Sequence, residues 1–195
     1  ALPTAAARDR LIETAAAWFG CPAAQVLPVA GASAAIRMIP RLLPTGRAAV
    51  IAPGRDDHAA SLGSAGWQVS QFAHPEAVEG ADLAVVVNPK NPDGREWPPE
   101  VLARLARRVG HLVVDESFAD ADPALSLAPW LWEMGERVMI LRSFGKFYGL
   151  AGLRLGFALA GRETAARLRA LAGPWAVGGP AIAIGTAALA DREWQ

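Results

Sequence analysis

Short runs of apolar residues alternate along this chain with stretches whose apolar positions return every three or four residues. The runs predict strands at Gln25–Val29, Ala48–Ala52, Gln68–Phe72, Leu83–Val87, His111–Asp115, Val138–Leu141 and Leu155–Leu159. Most are continuous rather than alternating, the pattern of strands buried on both faces of a mainly parallel sheet. Helices are predicted between them. Ala5–Phe19 carries Leu11, Ile12, Ala15 and Phe19 on one face and stops at Gly20. Glu100–Val109 follows Pro98-Pro99, sets Leu102, Leu105, Ala106 and Val109 on one face, and is expected to be capped by Gly110. Ser33–Leu43 follows the Gly31 turn and should be kinked or shortened by Pro40. Asp57–Ala65 and Arg162–Leu171 complete the set. Strands and helices alternate with no internal repeat and no low-complexity linker. The expected fold is therefore one doubly wound α/β domain over residues 1–195, a three-layer sandwich around a mainly parallel seven-stranded sheet.

Composition narrows the functions such a domain could serve. Apolar residues make up 52% of the 195 and charged residues 19%, which supports a packed core rather than disorder. Nineteen basic side chains balance nineteen acidic ones, so charge gives no support for nucleic acid or an anionic membrane as a partner. Arg104, Arg107 and Arg108 lie on a helical pattern and read as a solvated face. Cys21 is the only cysteine, which excludes an internal disulfide; with three scattered histidines it leaves no ligand set for zinc or iron. No window approaches the ~20 apolar residues of a membrane helix. Arg8, Asp9, Arg10 and Glu13 argue against a secretory leader, so a cytoplasmic location is expected. The chain opens at Ala1 and stops at Trp194-Gln195 without a clear cap, and both ends are expected to be cuts in a longer protein.

In doubly wound sheets ligands bind beyond the carboxyl ends of the strands, so residues just after strands carry the chemistry. Beyond Val138–Leu141, Ser143, Lys146 and Arg154 stand among Gly145, Gly149, Gly152 and Gly156. A Schiff-base lysine needs a fixed position and apolar surroundings that favour its neutral form, which Phe144, Phe147 and Tyr148 could offer. A serine hydroxyl and an arginine fork suit a phosphate. A P-loop would need Gly at position 140 and Ser or Thr at 147, where Ile140 and Phe147 stand. The Ser-x-x-Lys hydrolases carry companion Ser-Asp-Asn and Lys-Thr-Gly signatures that are missing here. Asn88-Pro89-Lys90-Asn91-Pro92-Asp93-Gly94, read alone, is an ordinary turn. Asp115 ends an apolar strand, where a carboxylate requires a partner or caps the next helix. Gly31-Ala32-Ser33 makes a strand-to-helix turn whose N–H groups could meet an anion.

The stretch from Ser143 through Lys146 to Arg154 resembles the lysine motif of fold-type-I pyridoxal-phosphate (PLP) enzymes, and the other segments follow in that family's order. The resemblance implies that Lys146 carries the cofactor as a Schiff base and that Ser143, Arg154, Gly31, Ala32 and Ser33 hold its phosphate. It further implies that Asn91 donates to the phenolic oxygen, Asp115 faces the pyridine nitrogen, and His58 supports Asp115. Two positions depart from the family. Arg55 stands where an aromatic ring usually stacks on the cofactor, and Phe118 where many relatives have Tyr, leaving Asn91 as the main donor to the phenolic oxygen. An N-terminal arm and a C-terminal small domain, which normally complete the site, are not identifiable.

The wording around Lys146, together with Gly173-Pro174-Trp175-Ala176-Val177, is similar to the threonine-phosphate decarboxylases of cobalamin biosynthesis. That resemblance implies decarboxylation of L-threonine O-3-phosphate to aminopropanol phosphate by a homodimer, with Lys146 and Asp115 as the catalytic pair. The alternatives are a histidinol-phosphate-type aminotransferase and a non-catalytic PLP-binding module, the latter suggested by Arg55.

Overall fold

A computed structural model describes residues 2–54, 56–78 and 80–195. Among the described residues, seven strands form one sheet: β1 (Val26–Val29), β2 (Arg47–Ile51), β3 (Gln68–Phe72), β4 (Leu83–Val87), β5 (His111–Asp115), β6 (Val138–Ser143) and β7 (Gly156–Ala160). Their spatial order is β1-β7-β6-β5-β4-β2-β3. The run from β3 to β6 is parallel, and β7 lies antiparallel to both β6 and β1. The expected mainly parallel α/β sandwich is therefore the fold observed. β3 departs from the buried pattern because it closes one edge, and Gln68, Ser70 and Gln71 are exposed.

The helices are α1 (Ala5–Phe19), α2 (Ala32–Met38), α3 (Asp56–Ser64), α4 (Pro99–Ala106), α5 (Leu131–Met134), α6 (Arg162–Ala172) and α7 (Gly179–Ala190). α1 starts at Thr4, whose hydroxyl accepts from the Ala7 N–H at 3.2 Å, and ends at Gly20 in the left-handed region. α2 stops at Met38 and tightens into a 3-10 turn at Ile39–Arg41, the shortening expected of Pro40. Gly110 is not the cap of α4, which ends at Ala106. A Cβ at Gly110 would stand 2.5 Å from the Asp82 carbonyl oxygen, so this glycine serves chain crossing rather than helix termination. No helix among the described residues is long and apolar enough to cross a membrane.

Side chains alternate between the two faces of each strand. Leu112, Val114, Ile140 and Leu159 pack with Leu11, Phe19, Leu102 and Ile182 on one face. Val113, Met139, Leu141 and Ala158 pack with Ile36, Leu62 and Leu168 on the other. Cys21 is buried, and that burial pushes its thiol up to about 11, so it is inert at neutral pH.

Candidate active site

The same alternation decides what happens where the strands end. In β5 it turns Asp115 to the face of Val113, toward α3. Asp115 is fully buried; its Oδ2 lies 2.8 Å from Nε2 of His58, in the first turn of α3. Its Oδ1 accepts from the Ser117 hydroxyl at 2.5 Å and from the Ser117 N–H at 3.1 Å. Taking a carboxylate out of water costs several kcal/mol unless it is partnered. His58 was legible as a partner. Ser117 was missed, although a Ser two residues after a strand-end Asp is a known side-chain turn signal.

In β6 the alternation places Ser143 on the same face, opposite Gly156 of β7. A Cβ on Gly156 would stand 2.6 Å from the Ala32 backbone nitrogen, so only glycine lets the Gly31–Ser33 turn settle on this corner. Gly31 itself has φ +77°, and a Cβ there would lie 2.7 Å from Nη2 of Arg154. Arg154, also left-handed at φ 53°, donates from Nη1 to the Ala151 carbonyl at 3.0 Å. Half-buried Ser143 and Ser33 and exposed Arg154 thus share one glycine-lined corner with Gly31 and Ala32. A hydroxyl pair, a guanidinium and turn N–H groups form a donor set suited to a phosphate.

Lys146 follows β6 in an exposed turn, its amine 5.7 Å from the centre of the Phe118 ring. Its apolar surroundings are not those the sequence suggested. Phe144 stacks on Tyr148 at 4.1 Å, and Phe147 meets Tyr148 and Trp194 edge-on at 5.2 Å each. These rings pack on one another and on Trp194 beyond α7, leaving Phe118 as the aromatic beside the amine. Burial pushes the Tyr148 phenol up to about 12, so it stays neutral.

Asn91 sits exposed in the turn after β4, its carbonyl oxygen 3.9 Å from the position of a Cβ on Gly54. The turn hangs on Asn88, fully buried, which donates to the Trp97 carbonyl at 3.0 Å and accepts from the Trp97 N–H at 2.9 Å. Arg55, expected beside the cofactor ring, lies outside the described residues.

On the opposite face of the same strand ends lies a charged cluster that the sequence reading missed. Glu116 is fully buried; it accepts from Arg142 Nη1 at 2.8 Å, the Ser126 hydroxyl at 2.6 Å and the Leu127 N–H at 2.7 Å. Arg142 also donates from Nη2 to Asp120, which the Trp18 indole reaches at 3.1 Å. Burial pulls the guanidinium down, but Asp120 and Glu116 more than offset it and hold Arg142 above its ordinary value.

Threonine-phosphate decarboxylase of Pseudomonas aeruginosa is 43% identical over 194 residues, covering 96% of this chain and 57% of that protein. The Sinorhizobium sp. threonine-phosphate decarboxylase is 43% identical over 169 residues, covering 84% of this chain and 50% of that protein. This chain thus spans little more than half the length of these curated relatives. The crystal structure of histidinol-phosphate aminotransferase from Sinorhizobium meliloti in complex with pyridoxal-5'-phosphate superposes with a TM-score of 0.85 at 26% identity, covering all of this chain and 57% of that one. The family model for aminotransferase class I and II matches residues 2–194. The chain belongs to the aminotransferase class I and II family.

Proposed function

We propose that this chain is the cofactor-binding large domain of a PLP-dependent threonine-phosphate decarboxylase, a cytoplasmic homodimer that forms aminopropanol phosphate for cobalamin synthesis. The observation that carries the cofactor reading is the placement, beyond the carboxyl ends of β5 and β6, of the Lys146 amine, the clamped Asp115 carboxylate and the glycine-lined donor corner. Identity of 43% with two threonine-phosphate decarboxylases favours decarboxylation over transamination.

When bound, PLP supplies an electron sink for negative charge at the substrate's α-carbon. The protein's own groups divide the remaining work. Ser143, Arg154 and the N–H groups of Ala32 and Ser33 would bind the phosphate and so fix the ring's position. Asp115, oriented by His58 and Ser117, would keep the proton on the pyridine nitrogen. Asn91 would donate to the phenolic oxygen. Lys146 would anchor the cofactor and, as a free amine, hold the proton delivered to the substrate's α-carbon. The missing half of the relatives' length is expected to supply the groups that grip the substrate.

Incubating the full-length protein with PLP and L-threonine O-3-phosphate should release CO2 without an oxo-acid acceptor. No CO2 release, with the amino group instead passed to an added oxo acid, would assign the histidinol-phosphate-aminotransferase-type alternative. Borohydride reduction should place a single PLP adduct on Lys146, and labelling scattered over surface amines would sink the cofactor reading.

Gly31→Ala tests the phosphate corner separately. The new Cβ would displace the Arg154 guanidinium, and Ala at φ +77° is strained. PLP should bind roughly tenfold more weakly, the loss of about one charge-assisted hydrogen bond. Equilibrium titration of the cofactor's absorbance measures this, and unchanged binding would place the phosphate elsewhere.

A further inference from the structure

Lys90, near these strand ends, is a buried charged side chain that the proposed chemistry does not use. Lys90 stands in a turn built of Asn, Pro, Asp and Gly, where a lysine would ordinarily reach into water, yet it is 3% exposed. Its ammonium donates to Asp93 Oδ2 at 2.9 Å and to the Ala52 carbonyl at 3.3 Å. An ammonium taken out of water costs several kcal/mol unless paired and hydrogen-bonded, so these two contacts hold it there. The hydrogen bond from Lys90, with a smaller one from the Arg95 N–H, keeps the Asp93 carboxyl below its ordinary value. The Asp93 carboxyl is therefore ionised throughout the neutral range.

The two acceptors belong to different parts of the site. Asp93 lies in the Lys90 turn itself, which is closed by Lys90 N–H to the Arg95 carbonyl and Gly94 N–H to the Lys90 carbonyl, both at 2.8 Å. Ala52 follows β2 and leads through Pro53-Gly54 toward α3 and His58. Lys90 thus pins the turn to the end of a neighbouring element. The residue beside the pin is Asn91, whose carbonyl approaches Gly54.

We propose that Lys90 is a positioning residue for Asn91, locking its turn against the end of β2 so that the Asn91 amide meets the cofactor's phenolic oxygen. The inference rests on the cofactor reading above. A methionine at this position keeps the length and the apolar stem but removes the donors. It would leave the Asn91 turn held by its own bonds and by Asn88, without the tie to the end of β2.

The test is a double-mutant cycle in the full-length protein, read by PLP affinity and by the pH titration of the visible band of Lys146-bound PLP. Asn91→Ala removes the donor to the phenolic oxygen and should move the titration midpoint upward. Lys90→Met should move it the same way and weaken PLP binding roughly tenfold. In the Asn91→Ala background, Lys90→Met should add less than a twofold change. A further full tenfold loss in that background, or no change in either, would overturn the proposal. Asp93→Asn, at the exposed end of the pair, should reproduce the upward shift in weaker form and serves if Lys90→Met does not fold. A Lys146 adduct with an unchanged midpoint in both Lys90→Met and Asp93→Asn overturns this inference alone. Absence of the adduct in the unsubstituted protein overturns the cofactor reading and this inference with it.

Discussion

In the full-length protein, Asp115→Asn should lower the proposed turnover of threonine phosphate by about 10³-fold while leaving Lys146 open to borohydride labelling. The amide keeps the shape of the carboxylate, and its oxygen can still accept from Ser117. What it loses is the negative charge. In a fully buried position that charge acts at low effective dielectric, so it is worth far more than a surface carboxylate would be. Its task in the proposed chemistry is to keep a proton on the pyridine nitrogen, without which the ring is a poor electron sink. Attachment at Lys146 needs only the amine and the phosphate corner, which are built from β6, the turn before β7 and the turn after β1. The two readouts should therefore separate. A fall in kcat/KM of less than tenfold would remove Asp115 from that role. Loss of labelling together with turnover would show that the substitution had dismantled the edge. Ser117→Ala is the milder companion: the charge stays and one donor goes, so a loss near tenfold is expected.

What could be read from the sequence follows from which signals are local. Most parallel strands were legible because each is a short apolar run; Leu83–Val87 and His111–Asp115 fall on the predicted bounds, as does the more polar Gln68–Phe72. α7 was not foreseen. Its Gly, Ala, Ile and Leu residues show no polar face to set a period, so the usual amphipathic stripe is silent. Lys146, Ser143, Arg154 and the Gly31 turn were legible because the motif names them, and His58 because family order pairs it with Asp115. Lys90 was hidden by composition, since a lysine among turn formers reads as solvated until its ammonium is found under Ala52. Gly110 was misread for the opposite reason. Glycine after a helix suggests a cap, and only the approach of the Asp82 backbone reveals its use.

The charged cluster behind the site had a signal of its own, the two-residue period of a strand. If Asp115 points to one face, Glu116 must point to the other, and Ser143 and Arg142 divide in the same way. Both inward charges then meet under α1 and must neutralise each other. Arg142→Met should consequently cost about 3–5 kcal/mol, because it leaves Glu116 and Asp120 buried without their counter-charge. Against a typical total of roughly 5–15 kcal/mol, that is enough to threaten folding. The deficit should carry a pH signature. With Arg142 gone, burial dominates at Glu116 and raises its folded pKa further above the ordinary 4.5. A carboxyl whose folded pKa is raised stabilises the protein below its unfolded value and loses that contribution as pH rises through the folded value. The variant should therefore be more stable to urea at pH 5 than at pH 8, and the gap between it and the parent should widen as pH rises. Adding Glu116→Gln to Arg142→Met should flatten that pH dependence and recover part of the loss. A urea midpoint for Arg142→Met equal to the parent's at pH 8 would show that the cluster does not hold the ends of β5 and β6 together.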